Sequence, residues 1–345
     1  RDVICQCCEM KPLREIVLTM ISIHQQGMHV TREMVYSLIQ SCIKEKDVDA
    51  AKFFLTTFML KYNINLVSSI GDIFIRFFAS CGCLFEANRV FEIILSPSVH
   101  TWHAIMYAHS LNGQRKDAID LYNKMLGRRE TIPNTYIFSC ILKACSGMQD
   151  LHQGALVYTD VIKMGLESDV VVGSAIIHMY SKCKRMEDAS SIFEKSRGQN
   201  VVSWNTMMTG FIDQGMYLSA IRLFEKMVKD GVNPDKATFL CAIKAYGNQS
   251  STLDAKVFCE LLAQSQFTSN NAIGNALIDM YAKCGDLEKA CGVFKSLGSR
   301  DIISWSTMIS GYVRNGHGVA ALELFEKMQE EEGIRPDKIS ILYVL

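Results

Sequence analysis

The feature that most constrains the fold of this chain is an internal repeat of about 102 residues. Three similar segments start 102 and 101 residues apart, and read VHTWHAIMYAHS from Val99, VVSWNTMMTGFI from Val201 and IISWSTMISGYV from Ile302. Two further sets keep nearly the same spacing, and begin at Ser68, Val170 and Asn271, and near Arg32, Thr135 and Lys236. A fixed period of this kind predicts a stack of small, similar structural elements.

Each period holds three repeats of unequal length, with 35, 35 and 31 residues in the round from 201 to 301. The predicted boundaries are a partial repeat at 1–31, nine repeats, and the start of an unfinished repeat at 338–345. The nine repeats are 32–67, 68–98, 99–134, 135–169, 170–200, 201–235, 236–270, 271–301 and 302–337. Positions below are counted from the first residue of each repeat.

Each repeat has the pattern of two short helices. In 201–235 the first apolar stripe begins at Trp204 and the second at Ala220, and both follow the i, i+3, i+4, i+7 spacing of a helix. Position twenty is always small, and is occupied by Ala51, Ala87, Ala118, Gly154, Ala189, Ala220, Ala255, Ala290 and Ala321. One helix pair cannot cover its own apolar face, so neighbouring pairs must stack. The sequence therefore predicts an all-α, right-handed α-solenoid superhelix of about nine antiparallel helix pairs.

Composition agrees with a folded chain that has no membrane span. Apolar residues make up 49% of the chain, which excludes general disorder, and no apolar run reaches the length of a membrane-spanning helix. The 36 Lys and Arg balance the 36 Asp and Glu, so any basic surface must be local. The chain starts at Arg1 and ends within an apolar stretch, so both ends look cut and no targeting peptide can be inspected.

No motif in the chain predicts catalysis or a cofactor. Zinc-deaminase, Walker and GxSxG patterns are absent from the sequence, and a single CxxC at Cys5–Cys8 is too little for a zinc site. The repeated cysteines Cys81, Cys183 and Cys284 fall on successive layers, too far apart to share a metal ion. We expect them to be small buried hydrophobic side chains. The chain is predicted not to be an enzyme and to have no cofactor.

The repeat pattern resembles the pentatricopeptide repeat family, in its plant-type PLS subclass. The segments that carry the resemblance are WNTMMTGF at 204–211, AIRLFEKMVKDGVNPD at 220–235, GNALIDMYAKCGDLEKA at 274–290 and SCILKACS at 139–146. The resemblance makes the repeats that begin at 99, 201 and 302 P-type, those at 32, 135 and 236 L-type, and those at 68, 170 and 271 S-type. It implies sequence-specific binding of single-stranded RNA, one base per repeat.

A tetratricopeptide array that binds protein or peptide partners is the alternative interpretation. It shares the paired helices and the small residue at position twenty. Its WxxLGxxY opening is missing here, however, and a polar residue recurs at position five, where packing would favour an apolar one.

The resemblance places base recognition at position five and at the last residue of each repeat. The pairs are Asp72/Ser98, His103/Asn134, Ser174/Asn200, Asn205/Asp235, Asn275/Asp301 and Ser306/Asp337. Helix capping is the competing explanation for the last residues. By the same resemblance Val171, Val202 and Ile303 at position two hold each base between them. The cations at position thirteen, Lys44, Lys182, Lys283 and Arg314, share one face and are predicted to contact phosphates.

Together these pairs imply the RNA core 5′-AUNUG-3′ for the repeats from 170 to 337. The resemblance also implies a mitochondrial or chloroplast protein that selects cytidines for C-to-U editing. A deaminase or another organellar processing factor would then be its partner. Splicing or stabilisation of RNA is the alternative role for the same binding site.

Overall fold

The computed structural model describes residues 13–26, 32–56, 68–128, 130–196, 199–249, 256–265, 267, 270–330 and 333–344. These residues form helices, turns and connecting segments, and no strand occurs among them. The small residue Ala255 and the motif at Cys5–Cys8 lie outside the described residues. None of the helices in the described ranges combines the length and the apolar content that a membrane span requires.

The described residues contain 20 helices, most of them paired along the chain. The first helices of the repeats are Arg32–Glu45, Ser68–Ser80, Val99–Leu111, Thr135–Met148, Val170–Lys182, Val201–Asp213, Lys236–Gln249, Asn271–Lys283 and Ile302–Arg314. Their second helices are Val48–Phe54, Leu84–Ile93, Arg115–Arg128, Leu151–Lys163, Met186–Lys195, Tyr217–Lys229, Lys256–Gln264, Leu287–Ser296 and Gly318–Glu330. The helices Leu13–Gln25 and Lys338–Val344 precede and follow these pairs.

The chain divides into two compact units, an N-terminal unit of residues 1–179 and a C-terminal unit of residues 180–345. Within each unit the first helix of a repeat packs against its own second helix and against the first helix of the next repeat. The first helices are therefore neighbours, and residues at equal positions recur side by side along one face.

The small residues at position twenty lie at the contact between the two helices of a pair. All eight described members are buried, among them Ala87, Ala189 and Ala290 at 0% exposure. Gly154 illustrates the fit, because a Cβ atom built on it would lie 2.5 Å from the sulfur of Met179. The close approach of the paired helices thus depends on the absence of side-chain volume at this position.

An aromatic pair joins the short repeats to the repeats that follow them. In the three periods the ring at position twenty-four meets the next tryptophan edge-to-face, with centroids 4.8–4.9 Å apart, in Phe91–Trp102, Phe193–Trp204 and Phe294–Trp305. Buried aromatic pairs of this geometry stabilise a fold beyond the apolar area that they cover. The period of about 102 residues in the sequence is thus also a period of the core.

Position fifteen, just after the first helix, has left-handed backbone in the eight repeats where the structure describes it. Glycine supplies this conformation in Gly82, Gly113, Gly215, Gly285 and Gly316, whereas Lys46, Gln149 and Lys184 adopt it with φ between 55° and 61°. One residue earlier, the repeats that begin at 99, 201 and 302 each form a hydrogen bond to the preceding repeat. The side-chain amides of Asn112, Gln214 and Asn315 donate to the carbonyl oxygens of Ala79, Ser181 and Ala282 at 3.3, 2.8 and 2.9 Å.

The burial expected for the cysteines at position fourteen is wrong. Cys284 is exposed and Cys81 and Cys183 are partly exposed, whereas Cys42 and Cys145, at another position, are buried. Position fourteen follows the end of the first helix, as Cys284 shows by acting as a C-cap. A residue there borders the turn between the helices rather than the core. No cluster that could hold a metal ion occurs among the described residues.

Candidate nucleic-acid interface

Position five and the last residue of a repeat are brought together by the stacking of first helices. The last residue precedes the first helix of the next repeat, which packs beside the helix that carries position five. In repeat 201–235, Asn205 Nδ2 donates to Asp235 Oδ1 at 3.0 Å. In repeat 271–301, Asn275 Nδ2 donates to Asp301 Oδ1 at 3.4 Å. Residues 30 and 26 positions apart in the sequence thus form one polar pair.

A cavity of about 360 Å³ opens beside Asn275 and the following pair, Ser306/Asp337. Its lining includes the position-five residues Asn275 and Ser306, the last residue Asp337, the position-two residue Ile303 and the position-thirteen cation Arg314. Four kinds of side chain that the sequence predicted to act together therefore border one cavity.

The last residues are also helix caps, as the competing explanation required. Asp235 Oδ1 accepts from the backbone N–H of Thr238 at 2.8 Å, and Asp301 Oδ1 accepts from that of Ser304 at 2.8 Å. Asn200 and Asn134 cap in the same way through Oδ1, at 3.0 and 3.1 Å. Capping uses one terminal atom of each side chain and leaves the other, Oδ2 of an aspartate or Nδ2 of an asparagine.

The capping hydrogen bonds also set the charge of the aspartates. Burial opposes the ionisation of Asp235, but hydrogen bonds from Thr238 and Asn205 outweigh it and leave the pKa below the ordinary value. For Asp301 burial is again outweighed, by hydrogen bonds from Ser304 and Asn275, and its pKa is lowered as well. Both groups are therefore carboxylates at neutral pH and can only accept hydrogen bonds.

Most of the buried polar atoms that lack a hydrogen-bond partner in the described residues belong to position five. Four buried side-chain polar atoms have no hydrogen-bond partner within the described ranges, and three of them, Asp72 Oδ1, Asn275 Oδ1 and Ser306 Oγ, belong to position five. Asn275 and Ser306 are each only 8% exposed. Buried polar groups are rarely left unpaired, so their recurrence at one repeat position indicates a ligand that supplies the partner.

In the N-terminal unit the pairs are arranged differently. Ser98 and Thr101 form a reciprocal capping box, so the Ser98 hydroxyl is occupied. Burial raises the pKa of the neighbouring Asp72, against a hydrogen bond from Thr101 and the charges of Arg76 and His100. His103 contacts aromatic rings, whereas Asn134 contacts the backbone of the next helix.

The pair Ser174/Asn200 is divided between the two compact units. Ser174 Oγ donates to the carbonyl oxygen of Val170 at 2.8 Å in the N-terminal unit. Asn200 lies in the C-terminal unit, where it caps the helix Val201–Asp213.

The aliphatic residues at position two are unusually exposed for their type. Val171, Val202 and Ile303 are 54%, 59% and 60% exposed, although each precedes a buried residue in its helix. They are therefore available to a flat ligand on either side of the polar pair.

The predicted phosphate contacts are engaged in ion pairs. Lys182 Nζ lies 2.5 Å from Asp213 Oδ2. Asp279 binds two cations, with Oδ2 2.6 Å from Lys283 Nζ and Oδ1 3.3 Å from Arg314 Nη1. Lys44, the fourth cation, is exposed. Asp213 and Asp279 could not be predicted as partners of these cations, because an acidic residue on an amphipathic helix usually lies on a solvated face.

Family models agree with the repeats. A model of the PPR repeat family matches residues 199–248 and 300–342, and a PPR repeat model matches 100–129, 174–201 and 275–302, together just over half of the chain. The chain belongs to the pentatricopeptide repeat family. The resemblance seen in the sequence is confirmed at the level of the family.

Known relatives are similar over most of this chain. The chloroplastic pentatricopeptide repeat-containing protein At4g18520 of Arabidopsis thaliana is 31% identical over 303 residues, which cover 88% of this chain and 49% of the relative. The mitochondrial protein At2g03880 of the same plant is 30% identical over 339 residues, or 98% of this chain and 52% of the relative. This chain thus spans about half the length of each of these relatives.

A solved structure is similar to the fold. The pentatricopeptide repeat protein PPR10, crystallised in complex with an 18-nt psaJ RNA element, aligns with a TM-score of 0.64 and 16% identity. The alignment covers 97% of this chain and 59% of PPR10. At this identity the likeness shows the fold, and the predicted all-α solenoid is confirmed.

Proposed function

We propose that this chain binds single-stranded RNA sequence-specifically, with one base held at position five and the last residue of a repeat. The unpaired buried atoms Asn275 Oδ1 and Ser306 Oγ carry the proposal, because both residues line one cavity together with Asp337, the last residue of repeat 302–337. A base edge that enters this cavity can supply the missing hydrogen bonds, whereas an apolar partner would leave them unmade. The RNA bound to PPR10, a protein of the same fold, supports this choice of ligand.

The caps decide which atom of each last residue meets the base. Asp235 and Asp301 give Oδ1 to their helices and keep Oδ2, an acceptor, which suits the ring N–H of uracil or guanine. Asn200 keeps Nδ2, a donor, which suits the bare ring nitrogen of adenine or cytosine.

The length of the side chain at position five then separates large from small bases. Serine, as in Ser174 and Ser306, leaves room for a purine, whereas asparagine, as in Asn205 and Asn275, fills that room and suits a pyrimidine. With the RNA parallel to the chain in the 5′ to 3′ sense, the repeats from 170 to 337 bind 5′-AUNUG-3′. The third base stays undefined because Leu240 occupies position five of its repeat.

The biological role that we propose follows the resemblance. The chain belongs to a PLS-subclass protein of a chloroplast or mitochondrion, and its chloroplastic and mitochondrial relatives support this location. It selects sites for RNA processing such as C-to-U editing, and a deaminase domain or partner supplies the catalysis.

Selection from a pool of random RNA tests the proposed binding. We expect AUNUG to be enriched, with free choice only at the third place. The double variant Asn275→Ser/Asp301→Asn is the matched control, since both changes keep polar, capping-competent side chains. It should move the fourth base from U to A and leave the other bases unchanged. An unrelated consensus, or no enrichment, would contradict sequence-specific binding.

A further inference from the structure

Repeat 99–134 carries a cluster of aromatic side chains where the repeats of the C-terminal unit have polar and aliphatic ones. The ring of His103, at position five, lies 6.0 Å from the rings of both Tyr107 and Tyr136, with interplanar angles of 28° and 55°. Tyr107 and Tyr136 are 47% and 62% exposed. Aromatic rings packed at this distance but open to solvent offer flat apolar surface to a ligand.

Tyr136 lies at the repeat position that is predicted to hold a base in other repeats. Tyr136 is the second residue of repeat 135–169, the position that Val171, Val202 and Ile303 occupy in theirs. His100, also exposed, is the second residue of repeat 99–134. Tyr136 therefore presents a ring beside His103 at the repeat position where Ile303 presents an aliphatic side chain beside Asn275.

The polar atoms of His103 and Asn134 determine which base edge can bind beside the rings. Burial lowers the pKa of His103, and the charges of Arg76 and His100 lower it further, so the imidazole is neutral and has one acceptor nitrogen. Asn134 Oδ1 accepts from the backbone N–H of Ile137 at 3.1 Å, which leaves Nδ2 as a donor. A donor next to an acceptor matches a base that has a bare ring nitrogen beside an amino group.

We propose that Tyr107 and Tyr136 form a stacking site for one adenine of the RNA, two nucleotides 5′ of the AUNUG core, and that His103 and Asn134 bind the edge of this base. This inference rests on the proposed function. Adenine accepts from Asn134 at N1 and donates its amino group to His103. Cytosine has the same edge but a smaller ring to stack, and guanine and uracil place an N–H opposite the donor of Asn134. The extended site is 5′-ANAUNUG-3′.

The test uses oligonucleotides 5′-XNAUNUG-3′ with X as A, G, C or U, at one fixed salt concentration. We expect the wild-type chain to bind X = A most tightly. Tyr136→Val, which restores the aliphatic residue of other repeats, should reduce this preference by about tenfold, the scale of one base–aromatic stack. Tyr136→Phe, the matched control, keeps the ring and should keep the preference.

A spectroscopic measurement reports the stacking itself. 2-Aminopurine at X should lose fluorescence on binding to the wild-type chain and to Tyr136→Phe, and should keep it with Tyr136→Val. Equal quenching by all three chains, or equal affinity for all four bases at X, would overturn the aromatic site. Failure of the wild-type chain to prefer AUNUG over a scrambled RNA would instead overturn the proposed function. Thermal melts of the three chains establish that the variants are folded.

Discussion

At the scale of single residues, the last residue of a repeat combines a helix cap, seen in the structure, with the base contact that we propose. Asp235 caps the helix Lys236–Gln249 through Oδ1, and the same oxygen accepts from Asn205 at position five. The cap orients the carboxylate, so Oδ2 is presented in one direction without additional cost in side-chain entropy. Capping and base recognition are therefore compatible explanations of the last residue, and the cap restricts which atom can contact the base.

Asp235→Asn separates these two tasks. Asparagine caps as well as aspartate, so the free energy of unfolding should change by only a few tenths of a kcal/mol. Nδ2 would replace Oδ2 toward the base, and the preference at the second base of AUNUG should move from U to C. The change in discrimination should be about 1–3 kcal/mol, the usual scale for one base-edge contact.

Gel-shift titrations with U and C at that nucleotide, at one salt concentration, measure this shift. The neighbouring bases serve as internal controls, because each repeat contacts its own base. An equal loss of affinity for both RNAs would show that Asp235 is a structural cap alone.

At the scale of helices, the packing of a helix pair depends on the small residue at position twenty and, in most repeats, on a large apolar residue four positions later. Ala220, at position twenty, is 1% exposed between its paired helices, and Phe224 four residues later is fully buried against Phe239 and Phe258. The same alternation of a buried small residue and a buried large one recurs in most of the described pairs. The position-five and last residues keep their spacing only while the first helices remain in this register.

Ala220→Leu should therefore destabilise the hairpin. Three added carbon atoms have no space at a close helix contact, and overpacking of this kind costs about 1–3 kcal/mol. Ala263→Leu is the control, because Ala263 is exposed on the helix Lys256–Gln264 and its replacement should leave the melting temperature nearly unchanged. Thermal denaturation of both variants measures the difference, and equal melting temperatures would refute the assignment of position twenty.

At the scale of the whole molecule, we expect the balance of charge to keep nonspecific binding of the proposed RNA ligand weak. Positive and negative side chains are equal in number, and three of the four predicted phosphate contacts are already paired with Asp213 or Asp279. A phosphate group must compete with these carboxylates for its cation. We therefore expect base contacts to contribute more than phosphate contacts to the discrimination between RNAs.

Asp279→Asn should raise the affinity for all single-stranded RNAs by a few-fold. Lys283 and Arg314 lose their counter-ion, and one further phosphate contact steepens the dependence of log K on log salt by about 0.7. Asp286→Asn is the matched control, because it removes the same charge at a helix cap on the second helix of the pair. Affinities measured at several salt concentrations would contradict the prediction if both variants behaved alike.

The sequence by itself determined the helix pairs, the small residue of each pair and the positions of the polar pairs. These features repeat with a fixed period, and a repeated local pattern is visible without knowledge of distant contacts. Asn275 and Asp301 could be named as partners for this reason, although 26 residues separate them.

Only the tertiary structure decided which side-chain atoms are used within the protein and which are left to contact a ligand. The use of Oδ1 by the cap, the pairing of Lys182 with Asp213 and the exposure of Cys284 all depend on contacts between helices or at helix ends. The aromatic cluster around His103 also needed the fold, since His103 and Tyr136 belong to different repeats and meet only where first helices stack. Periodicity assigns residues to a face, whereas hydrogen bonds and packing within that face determine the chemistry it presents.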